Sequence, residues 1–138
     1  MKDEENALAR IVICREQDGE RERNEYTGRV KEINNRVHVA FNEYSDGGSK
    51  ICHLLKIDPD GMEWVRTGEA GKNKTAFRAG LSLPFLYSTP HGEIRLKIVT
   101  RGFSYTKKDT HKICVSYTLY DGNTILSEYN TDIEIITS

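Results

Sequence analysis

Four histidines are the side chains of this sequence best suited to acid–base or metal chemistry. They are His38, His53, His91 and His111. None forms a His-x-His pair, and none has a second metal-ligating residue at a typical spacing. Cys52 precedes His53, but neighbouring residues of a strand point to opposite faces and cannot easily share an ion. The sequence therefore predicts neither a metal site nor a cofactor.

Motifs of nucleophilic or phosphate chemistry do not accompany these histidines. The segment 80–84 resembles a Gly-x-Ser-x-Gly nucleophile elbow only superficially, and no glycine-rich run precedes a lysine and a helix. A triad assembled from distant residues is left open, because triads are recognised by geometry rather than by sequence position. An unrecognised hydrolase or isomerase using His91 or His53 is therefore one hypothesis, although the sequence assigns no catalytic residue.

An arginine and a histidine on two predicted strands favour a binding site. Alternation puts His53 among aliphatic residues on one strand face, and puts Trp64 and Arg66 on one face of the next strand. If both faces point inward, a buried Arg66 needs an acidic partner such as Glu43, or an anionic ligand. We interpret Arg66 and His53 as polar anchors for a ligand, with walls formed by Trp64, Phe77, Tyr87 and Tyr117. The alternative is that Arg66 points outward, or pairs internally and serves structure.

A basic segment at residues 100–112 raises the question of nucleic-acid binding. It mixes lysines and an arginine with Phe103 and Tyr105, a combination that can grip single strands. However, 20 Lys and Arg are balanced by 21 Asp and Glu, and the formal net charge of −1 supplies no attractive field for a polyanion. We interpret the segment as a solvated hairpin tip and expect no nucleic-acid partner.

Turn signals divide the chain at regular intervals. Nine breaks rich in Asp, Asn and Gly imply about ten segments, because these residues tolerate the positive φ of tight hairpins. The breaks are Asp18-Gly19, Asn34-Asn35, Asp46-Gly47-Gly48, Asp60-Gly61, Gly68 to Gly71, Gly80, Pro90-His91-Gly92, Lys107-Lys108-Asp109 and Asp121-Gly122-Asn123.

Between the breaks, apolar and polar residues alternate with period two, and no window shows a convincing helical stripe. Ile94, for example, shares a predicted buried face with later residues of its strand, and so does Ile125. One wet and one buried face are typical of an antiparallel sheet. Closure of so long a meander removes its exposed edges. The sequence predicts an all-β fold, a closed or nearly closed antiparallel up-and-down barrel of about 8–10 strands. Residues 1–138 form one domain, with 1–6 as a flexible N-terminus.

Cysteine usage and hydropathy indicate the compartment. Cys14, Cys52 and Cys114 are far apart and form no CxxC pair, so we expect reduced, partly buried packing residues. No run of about 18 apolar residues suggests a membrane span. The first residues lack the basic-then-apolar order of a signal peptide. We therefore expect a cytoplasmic protein without a membrane partner.

The pattern Phe77-x-x-Gly80, Tyr87-x-Thr89-Pro90-x-Gly92 and Thr100 resembles that of the YwiB-like family, a small bacterial family of unknown function. Thr27-Gly28 and Arg66-x-Gly68 fall where that family carries similar residues. The resemblance spans roughly residues 8–136 and is densest over 66–100. It implies a calycin-like barrel, the architecture of lipocalins and fatty-acid-binding proteins, and no activity.

The corner formed by Thr89, Pro90 and Gly92 has a structural explanation. Pro presets φ for the second turn position, and the Thr side chain can hydrogen-bond to the nearby backbone. Gly at the fourth position gives the chain conformational freedom where it leaves the turn. His91 takes the third position, where almost any residue fits. We interpret this segment as a structural turn.

The leading functional hypothesis is a non-enzymatic module that binds a small amphipathic or anionic ligand in the barrel. One alternative is a protein-interaction or assembly module that uses its outer surface or an oligomer interface, such as that of a homodimer. The other is the unrecognised enzyme with a histidine in or near the barrel mouth.

Overall fold

Ten antiparallel strands form one continuous sheet in the computed structural model, which describes residues 7–69 and 71–137. The strands are β1 (Ala7–Gln17), β2 (Glu20–Ile33), β3 (Arg36–Tyr44), β4 (Lys50–Asp58), β5 (Gly61–Gly68), β6 (Gly71–Arg78), β7 (Ser82–Thr89), β8 (Gly92–Lys107), β9 (His111–Asp121) and β10 (Thr124–Thr137). Helices are absent from these ranges, so none there has the length and apolar character to span a bilayer. The predicted flexible segment 1–6 lies outside the described residues.

Strands that follow one another in sequence are paired, except β6 and β7, and β1 also pairs with β10. The sheet therefore curls into a nearly closed up-and-down barrel, which confirms the predicted fold class and is consistent with a calycin-like architecture. In the described part of the sheet, no backbone ladder joins β6 to β7. This slit is bridged at one end by hydrogen bonds between the 80–81 turn and Thr100. At the other end, the Ser88 amide donates to Asn73 Oδ1 at 2.6 Å.

The nine predicted breaks all fall at junctions between consecutive strands. Asp18 and Gly19 have φ values of 51° and 92°, and Asn34 and Asn35 have values of 50° and 66°. A two-residue hairpin needs positive φ at both central positions to match the twist of its strands. The residues that signal the turns are thus the residues that can adopt them.

Aliphatic side chains fill one end of the barrel, the end that carries the β2–β3, β4–β5 and β8–β9 turns. The largest fully buried ones come from six strands and face each other inside: Ile11, Val39, Leu55, Ile57, Met62, Ile113, Ile133 and Ile135. Burying such a side chain contributes about 1.5–3 kcal/mol. This end therefore forms the core that holds the barrel together.

Some expectations of burial are wrong at the ends and on the outer face of the sheet. Ile94 and Ile125 were expected to share buried faces, but they are 46% and 52% exposed, because they lie beside the turns at the other barrel end. Cys52 and Cys114 are exposed rather than partly buried, because alternation turns them outward. Cys14 is half-buried, and all three thiols are free.

Gly28 provides a test of the packing between β1, β2 and β3. A Cβ at this position would collide with the Ala40 carbonyl oxygen and lie 2.9 Å from the Phe41 Cβ. We predict that Gly28→Ala lowers the free energy of unfolding by about 1–3 kcal/mol, as overpacking does. Urea denaturation measures the change.

Gly102→Ala is the matched control, since a Cβ there meets no atom within 4 Å. Like Gly28, Gly102 lies within a strand, β8, so both variants replace a strand glycine by alanine. Equal stability of both variants would contradict the close approach of the strands at Gly28.

Candidate functional site

A cavity of about 440 Å³ lies inside the barrel, towards the end opposite the aliphatic core. We call it the cup. Its rim carries the β1–β2, β3–β4, β5–β6, β7–β8 and β9–β10 turns. The six residues predicted to bind a ligand all line the cup: Arg66, His53, Trp64, Phe77, Tyr87 and Tyr117. The structure thus brings them together, and their role in binding stays a prediction.

The wall of the cup has two unlike halves. Strands β1 to β5 supply what we call the charged arc: Arg15, Glu22, Glu43 and Arg66. Strands β6 to β10 supply the aromatic arc: Phe77, Phe85, Tyr87, Tyr117 and Tyr129. Among the described lining residues, β6 to β10 contribute no charged side chain. Rings line both halves, since Tyr26, Phe41 and Trp64 also face the cup, but all the charged lining residues lie on β1 to β5.

Sequence reasoning missed several of these residues, including Arg15, Glu22 and Tyr26. For Arg15 a signal was present, because it has the same strand parity as Ile11 and Ile13. Strand β2 gave little signal, since its residues near the rim are polar on both faces.

His53 links two other cup residues in one hydrogen-bonded chain. Trp64 Nε1 donates to His53 Nδ1 at 2.9 Å. Because that nitrogen accepts, the ring proton of neutral His53 lies on Nε2, which donates to Glu43 Oε1 at 2.9 Å. The imidazole is 6% exposed and stacks on Phe41, with ring centroids 4.5 Å apart. Both nitrogens are occupied, so His53 has none left to accept a proton from a substrate.

Burial lowers the pKa of His53, since it disfavours the charged imidazolium. The hydrogen bond with Glu43 raises this pKa, and the charge of Arg66 lowers it. Protonation would also place a proton on Nδ1 opposite the Trp64 N–H and break that hydrogen bond. These effects favour neutral His53 as a rigid support for Trp64 and Glu43.

Tyr117 is the central ring of the aromatic arc. Its ring centroid lies 4.7 Å from that of Tyr129 and 4.6 Å from that of Phe77. Burial raises the pKa of the Tyr117 hydroxyl far above its usual range, and the charges of Arg15 and Arg66 lower it. The hydroxyl therefore stays protonated and can donate a hydrogen bond into the cup.

Arg66 faces the cup, which is one of the two orientations that the sequence left open, and it is exposed near the mouth rather than buried. It needs no internal counter-ion there, and among the described residues it forms no ion pair. Glu43, the expected partner, pairs with His53. Arg15 places its guanidinium carbon 5.5 Å from the Tyr129 ring centroid.

The predicted structural turn lies on the rim between β7 and β8. Thr89 Oγ1 donates to the Gly92 carbonyl at 2.8 Å and accepts the His91 amide at 3.1 Å. Gly92 has a φ of 121°, which an L side chain rarely adopts. Pro90 and His91 form the exposed tip, and His91 is not among the described residues that line the cup.

Within residues 7–69 and 71–137, no group of three or more His, Cys, Asp and Glu side chains is placed to hold a metal ion.

Fold and site together define a cup-shaped antiparallel β-barrel. The chain belongs to the family described as a domain of unknown function (DUF1934), which matches residues 10–133. The crystal structure of the YwiB protein from Bacillus subtilis is similar, with a TM-score of 0.76 and 25% identity over 100% of this chain and 95% of that one. The resemblance to a YwiB-like family of unknown function is thus confirmed. No match is found among curated proteins.

The pKa shift of His53 makes the stability of the barrel depend on pH. Native His53 binds its proton less tightly than the unfolded chain does, so the free energy of unfolding decreases as pH falls below the ordinary value of 6.5. From about pH 7.5 to about pH 5.5, we expect this fall to be smaller in His53→Gln than in the wild type by roughly 1 kcal/mol. Urea denaturation across this range measures the difference.

Part of the fall will remain in the variant, because burial also lowers the pKa values of His38 and His111. His91→Gln is the control, since His91 lies on an exposed turn, and it should keep the wild-type pH dependence. The same pH dependence in His53→Gln as in the wild type would show that the Glu43–His53–Trp64 chain does not disfavour protonation.

Proposed function

We propose that this protein is a cytoplasmic, non-enzymatic module that binds a small amphipathic or anionic ligand in the cup. The observation that supports it best is an open cavity of about 440 Å³ that combines an aromatic arc with two arginines. Small-molecule sites have volumes of roughly 300–1,000 Å³ and combine apolar walls with a few polar groups. The free thiols fit a reducing compartment.

The two barrel ends differ in the polarity of their inner faces, and this difference indicates that the residues of the cup serve binding rather than packing. At the packed end, inner positions carry aliphatic side chains such as Ile57 and Ile135. At the cup end, the same strand faces carry His53 and Tyr129, and β1 changes from Ile13 to Arg15. A polar inner face costs free energy in a dry core, but it suits a cavity that holds a polar ligand or water.

The geometry gives less support to an enzyme. His53 has both nitrogens engaged in hydrogen bonds, and a general base needs a nitrogen within reach of the substrate proton. His91 lies outside the cup, on the tip of a turn.

Exposed apolar side chains on the rim favour a second candidate, an interaction module or homodimer. Five large ones lie within four residues of the β7–β8 or β9–β10 turn: Leu86, Tyr87, Ile94, Ile125 and Leu126. Such clusters often mark protein contacts. In this case, the rim would contact a partner protein or a second copy of the chain.

Native mass spectrometry of protein purified gently from its own or a similar host tests the proposal. We expect a stoichiometric non-protein mass in the wild type, and a loss of roughly tenfold or more in its occupancy in Thr75→Phe. Thr75 lines the cup beside Trp64, its partner in the β5–β6 ladder, so a phenyl ring at position 75 would occupy space that the ligand needs.

Thr67→Phe is the matched control, because Thr67 lies on the outer face of β5 and is exposed. It should keep the bound mass. Equal retention by both variants would place the ligand outside the cup. A wild type that carries only its protein mass would contradict the proposal, and a dimer in the same spectrum would support the interaction module.

A further inference from the structure

We propose that the cup is built for an aromatic zwitterion, a planar ring that bears one anionic and one cationic group. The inference deepens the proposed function and rests on it, since it names the class of ligand that the cup binds.

The first step is the charge balance of the cup. Its charged arc contains two arginines, Arg15 and Arg66, and two glutamates, Glu22 and Glu43. An anionic ligand would match the two arginines but be repelled by the two glutamates, and a cationic ligand would meet the reverse, because like charges placed close together disfavour binding. A ligand with both charges matches all four residues.

The second step is that these charges remain available. Among the described residues, neither Arg15, Arg66 nor Glu22 forms an ion pair. Glu43 uses Oε1 for His53 and keeps Oε2 for another partner. On the outside of the barrel, by contrast, close pairs form, such as Arg78 with Asp58 at 2.8 Å.

The third step is the arrangement of the two signs. Arg15 and Glu22 are directly opposed on β1 and β2, at a spacing of about 5 Å between neighbouring side chains. An anionic and a cationic group attached to one short side chain can therefore contact both residues. Arg66 lies further along the arc, beside His53 on β4.

Two half-buried tyrosines, Tyr26 and Tyr117, lie close to these charges. The charges of Glu43 and Glu22 raise the pKa of Tyr26, after the larger effect of burial, while those of Arg15 and Arg66 lower it. At Tyr117, burial raises the pKa, and the charges of Arg15 and Arg66 lower it. Tyr26 therefore lies close to charges of both signs, and Tyr117 lies close to the two arginines.

The fourth step is the ring. Tyr117 and Tyr129 stack with an interplanar angle of 15°, and Phe77 and Phe85 extend the same wall. A planar ring can pack against this wall by offset stacking or edge-to-face contact. The ring then faces the aromatic arc, and its charged substituents face the charged arc.

Four probes with one common ring test the charge requirement: tryptophan, which carries both groups, indole-3-propionate, tryptamine and 3-methylindole. Binding is measured by isothermal titration calorimetry on the full chain after dialysis. We expect tryptophan to bind tightest, and each singly charged probe to bind roughly tenfold more weakly, as the loss of one matched contact implies.

Variants assign the contacts. Replacing both cup arginines (Arg15→Met with Arg66→Met) should reduce tryptophan binding to the level of tryptamine, without weakening tryptamine itself. Glu22→Gln should reduce tryptophan binding to the level of indole-3-propionate. Arg95→Met is the control, because Arg95 is exposed on the outer face of β8 at the same barrel end, and it should change neither.

Other outcomes overturn the inference. If indole-3-propionate binds as tightly as tryptophan, the ligand is a simple anion. If 3-methylindole does, the ring alone is recognised. If none of the four binds although native mass spectrometry shows a bound molecule, the zwitterion inference fails and the proposed function stands. If no probe binds and no molecule copurifies, both fail.

Discussion

Antiparallel pairing of β1 with β10 is the constraint on which the rest of this structure depends. Every other ladder of the described sheet joins strands that follow one another in sequence, whereas this one joins the two ends of the chain. Its register runs from Ala9 opposite Thr137 to Gln17 opposite Tyr129. A slip of one residue would turn every inward side chain of a strand outward. This pairing therefore sets both the core and the composition of the cup.

Along each strand, the inner face changes character from one barrel end to the other. On β4 it runs from Ile57 through Leu55 to His53, and on β10 from Ile135 and Ile133 to Tyr129. Aliphatic groups gain free energy by leaving water, while charged and hydroxyl groups lose it unless they find partners. The packed end thus supplies stability, and the cup end can keep polar groups available without unfolding the barrel.

Much of this architecture could be predicted from the sequence, because alternation and turn residues are local properties. They located about ten strands, and they placed His53 on one strand face and Trp64 with Arg66 on one face of the next, but they left open which faces point inward. The depth of each residue could not be predicted, since it depends on how the barrel closes. The sequence left open whether Arg66 is buried or points outward, and in the structure it faces the cup near the mouth. Glu22 escaped notice because a wall strand that faces a wet cup is polar on both sides. Burial was also mispredicted on the outer face of the sheet, where Cys52 and Cys114 are exposed.

The central claim is that the cup is an open site rather than a loosely packed part of the core. A crystal structure of the protein purified without a denaturing step tests it most directly. We predict an open cup with non-protein density between the Arg66 guanidinium and the Tyr117 ring. A cup closed by contact between Trp64 and Tyr117, with no space for a ligand, would contradict it.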